Sequence, residues 1–186
     1  MLLDLSDSLK SAKELLGYKL INETADGVTS GYIVETEAYS MIDTASHSFK
    51  GMTSRTKPMF DVPGTIYVYF TYGIHYCFNI VTGPIDNGQA VLIRALQPID
   101  GLDLMRQRRD IEDDLKLTNG PAKLVQAMAI DKSYNGKNIL DGSSGLRLES
   151  GIKPQAVVQT TRIGIKKATD LEWRFYIKNN QFVSRK

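Results

Sequence analysis

Thr65-Ile66-Tyr67-Val68-Tyr69-Phe70-Thr71-Tyr72-Gly73-Ile74-His75-Tyr76-Cys77-Phe78-Asn79-Ile80-Val81 places four of the chain's nine tyrosines within ten residues. β-Branched and aromatic side chains suit a pleated strand, so residues 65–71 and 76–82 are expected as two strands, with Gly73 permitting the reversal between them. The turn is then Tyr72-Gly73-Ile74-His75. Tight turns are normally polar because they face water. A large aromatic and an isoleucine here fit two readings: side chains folded back on neighbouring structure, or a wedge of the kind that pushes between stacked base pairs and holds a duplex bent.

Upstream of this hairpin, Ser6 or Asp7 can cap a helix running to about Leu16 and ended by Gly17. Residues 18–23 and 28–37 form an expected hairpin around Thr24-Ala25-Asp26-Gly27, since Asp-Gly between apolar stretches is a strong turn signal. Residues 40–64 have no sustained period and are expected as a long loop, which in a compact domain is often functional. Downstream, residues 89–96 are expected as a buried strand ended by Pro98. Helices are expected over 101–109 and 121–130, the second with proline in its first turn. The acidic run 110–114 offsets Arg106, Arg108 and Arg109, and short strands are expected at 145–149, 156–163 and 173–178. The pattern predicts an α+β fold in a single domain over 1–186, with a curved, largely antiparallel sheet flanked by helices and a protruding β-hairpin.

At 186 residues and 42% hydrophobic, the chain can bury one sizeable core. A formal charge of +2 means that any nucleic-acid surface must come from local clustering. The N-terminal residues turn acidic and polar too soon for a secretory signal, and no apolar run reaches the ~18 residues of a membrane helix. A cytosolic protein is expected. The single cysteine, Cys77, forms no internal disulfide and is expected as a buried structural thiol, and two histidines with one cysteine argue against a zinc site. No metal or cofactor is expected.

Glu35 and Glu37 are two apart on an expected strand and so share a face, where a carboxylate pair is commonly engaged with Lys or Arg. Their company points further. Tyr39 and His47 follow closely, and Tyr67, Tyr69, Asn79 and Arg94 lie on strands able to converge. A proton-accepting carboxylate, aromatics that sandwich a planar ring and an amide that reads ring edges suit a pocket for a base.

Ile33-Val34-Glu35-Thr36-Glu37-Ala38-Tyr39, Asp43-Thr44-Ala45-Ser46-His47, Met59-Phe60, Pro63-Gly64-Thr65-Ile66-Tyr67-Val68-Tyr69, Tyr72-Gly73, Asn79 and Val91-Leu92-Ile93-Arg94-Ala95-Leu96 closely resemble the methylpurine (3-methyladenine, alkyladenine) DNA glycosylase family. Gly120-Pro121-Ala122-Lys123-Leu124, Thr161-Arg162-Ile163-Gly164 and Trp173-Arg174-Phe175-Tyr176 continue the match in order, over nearly the whole chain. The resemblance implies a monofunctional DNA repair glycosylase. Such an enzyme flips 3-methyladenine and other alkylated purines, with hypoxanthine as a further candidate, out of double-stranded DNA and hydrolyses the N-glycosidic bond to leave an abasic site. It implies Glu37 as the general base that activates water, with Arg94 and the backbone carbonyl of Ile163 holding that water. Tyr39, His47 and Tyr69 would stack on the extruded purine, Asn79 would discriminate against guanine by crowding its exocyclic amino group, and Tyr72, joined by Ile74, would fill the gap in the duplex. Lys50, Arg55 and Lys57, in a loop that departs from strict consensus, are candidate phosphate contacts, as is His75. A monomer that associates with the nucleoid through DNA is expected.

The chemistry stands on its own. Cleaving the bond develops positive charge on the sugar, which a nearby carboxylate stabilises, and alkylation at a ring nitrogen already makes the purine a cationic leaving group. Two rivals are a non-catalytic nucleic-acid-binding module of the same fold, and a hydrolase of free nucleosides or sugars, which would not need the Tyr72 turn.

Overall fold

In the computed structural model, which describes residues 3–71 and 75–185, α1 (Ser8–Glu14) begins at Asp7. The Asp7 side chain accepts hydrogen bonds from the N–H groups of Leu9 and Lys10 and so satisfies donors that the first helical turn leaves unpaired. Gly17, at φ +87°, lies past the helix end, where an added Cβ would sit 2.0 Å from the Ile152 carbonyl oxygen. Only glycine fits this crossing.

β1 (Lys19–Thr24) and β2 (Gly27–Tyr39) form the Asp-Gly hairpin, and β2 runs two residues further than the pattern suggested. After two short 3₁₀ turns, His47–Lys50 and Lys57–Phe60, come β3 (Ile66–Thr71) and β4 (His75–Val81), paired from Ile66↔Ile80 to Thr71↔His75. β5 (Ala90–Asp100) continues through Pro98 instead of stopping there. Proline donates no ladder hydrogen bond, and β5 absorbs it opposite Gly31, beside a register shift at Ser30/Gly31.

α2 (Leu102–Arg109) and α3 (Pro121–Ala127) pack on one another, and α3 packs against β4 and β5. α3 is shorter than expected because Ala129 takes φ +53° and the Ile130 N–H turns back to Val125. The acidic segment folds back too, with Asp114 bonded to Arg106 through both oxygens. β6 (Leu146–Glu149), β7 (Val157–Thr160) and β8 (Arg174–Ile177) complete the set. The expected strand 156–163 ends at Thr160, since Arg162 and Ile163 leave the ladder to bond elsewhere.

The sheet is antiparallel in the order β3-β4-β5-β2-β1-β6, and β8, carrying β7, pairs with β2. β2 is long enough to take β1 along its first half and β8 at Glu35, Thr36 and Glu37. The α+β fold with a curved antiparallel sheet is the one expected.

Period-2 alternation separates the two faces of this sheet. Ile66 and Val68 of β3, Phe78 and Ile80 of β4, and Val91 and Ile93 of β5 join the main hydrophobic core. The intervening residues Tyr67, Tyr69, Cys77, Asn79, Leu92 and Arg94 line a cavity on the opposite face. β2 obeys the same division: the Thr36 hydroxyl donates to the Ala12 carbonyl of α1 at 2.7 Å, while Glu37 and Tyr39 enter the cavity. Among the described residues no helix is long and apolar enough to cross a membrane.

Candidate active site

The register joins the site residues into one transverse row. Tyr67 pairs with Asn79, Asn79 with Leu92, Leu92 with Glu37, and Glu37 with Arg174. Five strands thus contribute one residue each across the floor of a cavity of about 590 Å³, of which Arg174 alone lies outside the lining. That volume suits a small planar ligand.

Glu37 is fully buried against donors from three directions. Its Oε1 accepts from the Ile163 N–H at 2.8 Å and forms an ion pair with Arg94 Nη1 at 3.1 Å, and its Oε2 accepts from the Tyr39 hydroxyl at 2.7 Å. The Ile163 contact to Glu37 runs through its amide N–H, beside the carbonyl expected to hold the water. Burial, and then the neighbouring Glu37 charge, push the Tyr39 phenol well above its ordinary range and keep it a donor. At Arg94, burial pulls the pKa down, but the Glu37 and Glu35 carboxylates outweigh it and leave the guanidinium above its ordinary value.

The aromatic wall comes from β3 and the first 3₁₀ turn. The His47 ring meets Tyr69 edge-on at 4.5 Å between centroids, and His47 Nδ1 lies 3.1 Å from the Tyr67 hydroxyl. Packing around the imidazole, followed by the charge of Arg55, holds the His47 pKa down at about 4. It is neutral at physiological pH. Burial raises the Tyr69 phenol and the Cys77 thiol alike, so neither is a ready acid or nucleophile.

Asn79 Nδ2 donates to the Tyr67 carbonyl at 2.9 Å. This bond sets the amide orientation, because the flipped form would oppose two oxygens.

Arg55, Lys50 and Lys57 are all exposed outside the cavity lining, and Arg55 arches over the Tyr69 ring at 5.5 Å from its centroid. Exposed Lys166 and Lys167 stand at the cavity rim, a pair the sequence reading passed over. Tyr72 and Ile74, the expected wedge, lie outside the described residues. The strands leading to them carry half-exposed Phe70, its ring tilted against that of Tyr76 with centroids 5.0 Å apart, and exposed His75.

Sequence reading also passed over Arg162 and Asp43 as site residues. Their side chains form a fully buried ion pair. Arg162 donates to the Ala38 carbonyl at 2.9 Å and lies between the Tyr39 and Trp173 rings at 4.6 and 5.2 Å. Asp43 orders the loop that delivers His47, accepting from the Ala45 N–H at 2.9 Å. A sequence signal existed: both fall in blocks that carried the family resemblance, one of them beside Ile163. Among the described residues no three His, Cys, Asp or Glu side chains come together as a metal ligand set.

The Methylpurine-DNA glycosylase (MPG) family profile matches residues 3–181. The chain belongs to this family of DNA glycosylases. It is 48% identical over 182 residues to a protein of Carboxydothermus hydrogenoformans, covering 97% of this chain and 95% of that one. It is 46% identical over 183 residues to one of Methanoculleus marisnigri, covering 97% and 95%, and 47% identical over 182 residues to one of Francisella tularensis subsp. tularensis, covering 96% and 94%. All three bear the name "Putative 3-methyladenine DNA glycosylase". In this family member, most of the blocks that carried the resemblance contribute residues to the cavity lining; Trp173-Arg174-Phe175-Tyr176 stands outside it, and Tyr72-Gly73 lies outside the described residues.

Proposed function

We infer that this glycosylase extrudes 3-methyladenine and related alkylated purines from duplex DNA and hydrolyses the N-glycosidic bond, leaving an abasic site without strand cleavage. The observation that carries the reading is the transverse row, which brings a buried carboxylate and an amide onto one cavity floor, in a lining shared with the aromatic rings of Tyr39, His47 and Tyr69. Glu37 is the general base. Oε2 of Glu37 has the Tyr39 hydroxyl as its one donor and keeps a lone pair beyond it, so a water can be polarised there for attack on the anomeric carbon. The same carboxylate stabilises the positive charge that develops on the sugar.

Tyr39, Tyr69 and His47 supply ring faces and edges for the purine, and electron-rich phenols favour a cationic ring. A neutral His47 adds no repulsion to that cation. The high-lying Tyr39, Tyr69 and Cys77 groups are poor acids, so alkylated, cationic bases leave most readily and neutral hypoxanthine leaves more slowly. Asn79 disfavours guanine by crowding its amino group. Tyr72 fills the space vacated by the nucleotide, and Lys50 and Lys57 meet the phosphate backbone.

The test is base release from a duplex carrying one alkylated adenine, set beside the same lesion as a free nucleoside. Release from the duplex alone is expected. Equal release from the nucleoside identifies a nucleoside hydrolase, and duplex binding without release identifies a binding module.

A further inference from the structure

We propose that Glu35 is a positioning residue for the cleavage step: it directs Arg94 without touching substrate. This rests on the glycosylase reading and assigns a role to a carboxylate outside the cavity lining.

Glu35 is fully buried and completely engaged. Its Oε1 accepts from Arg94 Nε at 3.3 Å and from Arg174 Nη1 at 2.9 Å, and its Oε2 accepts from the Ser184 N–H at 2.7 Å. Arg174 is itself held by the carbonyls of Thr161 at 2.9 Å and Arg185 at 2.8 Å, with its guanidinium 5.1 Å from the Tyr176 ring. Arg94 is therefore forked, Nε on Glu35 and Nη1 on Glu37, with Nη2 3.5 Å from the Ser184 hydroxyl.

The fork has a chemical consequence. A guanidinium facing a single carboxylate tends to close on it with two parallel hydrogen bonds, engaging both oxygens. With Nε on Glu35 and Nη2 beside the Ser184 hydroxyl, Arg94 meets Glu37 through Nη1 at Oε1, and Oε2 is left to the Tyr39 hydroxyl and the attacking water. Stability alone does not account for two carboxylates and two guanidiniums buried together, because well-packed apolar residues of similar volume commonly match or exceed such a cluster. An acceptor that competes for Arg94 does account for them.

The experiment measures single-turnover base release, lesion-duplex affinity and melting for wild type, Glu35→Gln, Arg94→Gln and the double variant. A misplacement of about 1 Å at a reacting centre can cost about a hundredfold. A loss of that order is expected for Glu35→Gln, with affinity unchanged and no added loss in the Arg94→Gln background. An unchanged rate, a loss that multiplies with that of Arg94→Gln, or affinity falling in step with rate would each overturn the proposal. Should Glu35→Gln fail to fold, Glu35→Asp keeps the charge balance, withdraws the carboxylate by one methylene and is read by the same criteria. Wild-type protein that releases no base at all overturns the glycosylase reading itself, which separates the two failures.

Discussion

At the residue scale, Glu35 and Glu37 have the same side chain, the same strand and the same complete burial, yet different company. Glu37 lines the cavity; Glu35 faces two arginines and a backbone amide behind it. Glu37→Gln keeps the shape but loses proton acceptance and charge, so single-turnover release should fall by about 10²- to 10⁴-fold while duplex binding persists. Quench-flow and gel-shift measurements on one preparation check this, and near-wild-type release would remove Glu37 from the role. His47 gives a second expectation. With its folded pKa near 4, below the ordinary imidazole value of about 6.5, the unfolded chain binds the proton more readily. This group's contribution to folding is therefore at its most favourable above the unfolded pKa and worsens as pH falls through the window between the two values. The side chain is exposed on one side, so the effect on stability is small. NMR titration should find the ring neutral down to about pH 4, and Arg55→Gln should raise that midpoint by removing a neighbouring positive charge.

At the element scale, two loops distant in sequence make one wall of the cavity through the Asp43–Arg162 pair. Removing one member of a buried ion pair leaves an uncompensated charge, typically at a cost of about 3–5 kcal/mol. Arg162→Met should lose stability of that order in urea titration, and the double variant Arg162→Met/Asp43→Asn should recover part of it. Full additivity would mean that the pair does not couple the loops. The local elements were largely legible from sequence: the Asp7 cap, the Asp-Gly turn, the tyrosine hairpin and the proline start of α3 are each decided within a few residues. The misjudged boundaries had distant causes. β5 passes Pro98 because Gly31 faces it, and β7 stops at Thr160 because Arg162 and Ile163 turn toward β2 and the 40–46 loop.

For the molecule as a whole, the net charge of +2 conceals a local arrangement. Exposed Lys166 and Lys167 stand at the cavity rim, and exposed Lys50 and Lys57 lie in the loop that follows His47. If these four meet phosphates, each substitution to Gln should lower the slope of log affinity against log salt by about 0.9, without altering which base is released. Affinity for lesion duplex across a salt series checks this. A lysine whose replacement leaves the slope unchanged is an ordinary solvated charge.

By itself the sequence determined the strand and helix types, the alternation that buries one sheet face, and the family blocks on which the chemistry depends. These follow from local sterics and period, which act over a few residues. The tertiary structure alone decided that Tyr67, Asn79, Leu92, Glu37 and Arg174 stand in one row, since the register of β2 against β5 and β8, strands remote from it in sequence, leaves no local signature. It also separated the two glutamates. Their spacing on β2 places both on one face, but only the arrival of β8 and the 182–185 segment behind Glu35, and of Ile163 and the cavity beside Glu37, gives them different donors. In a low-dielectric interior, the nearest partners of a buried charge govern what it can do.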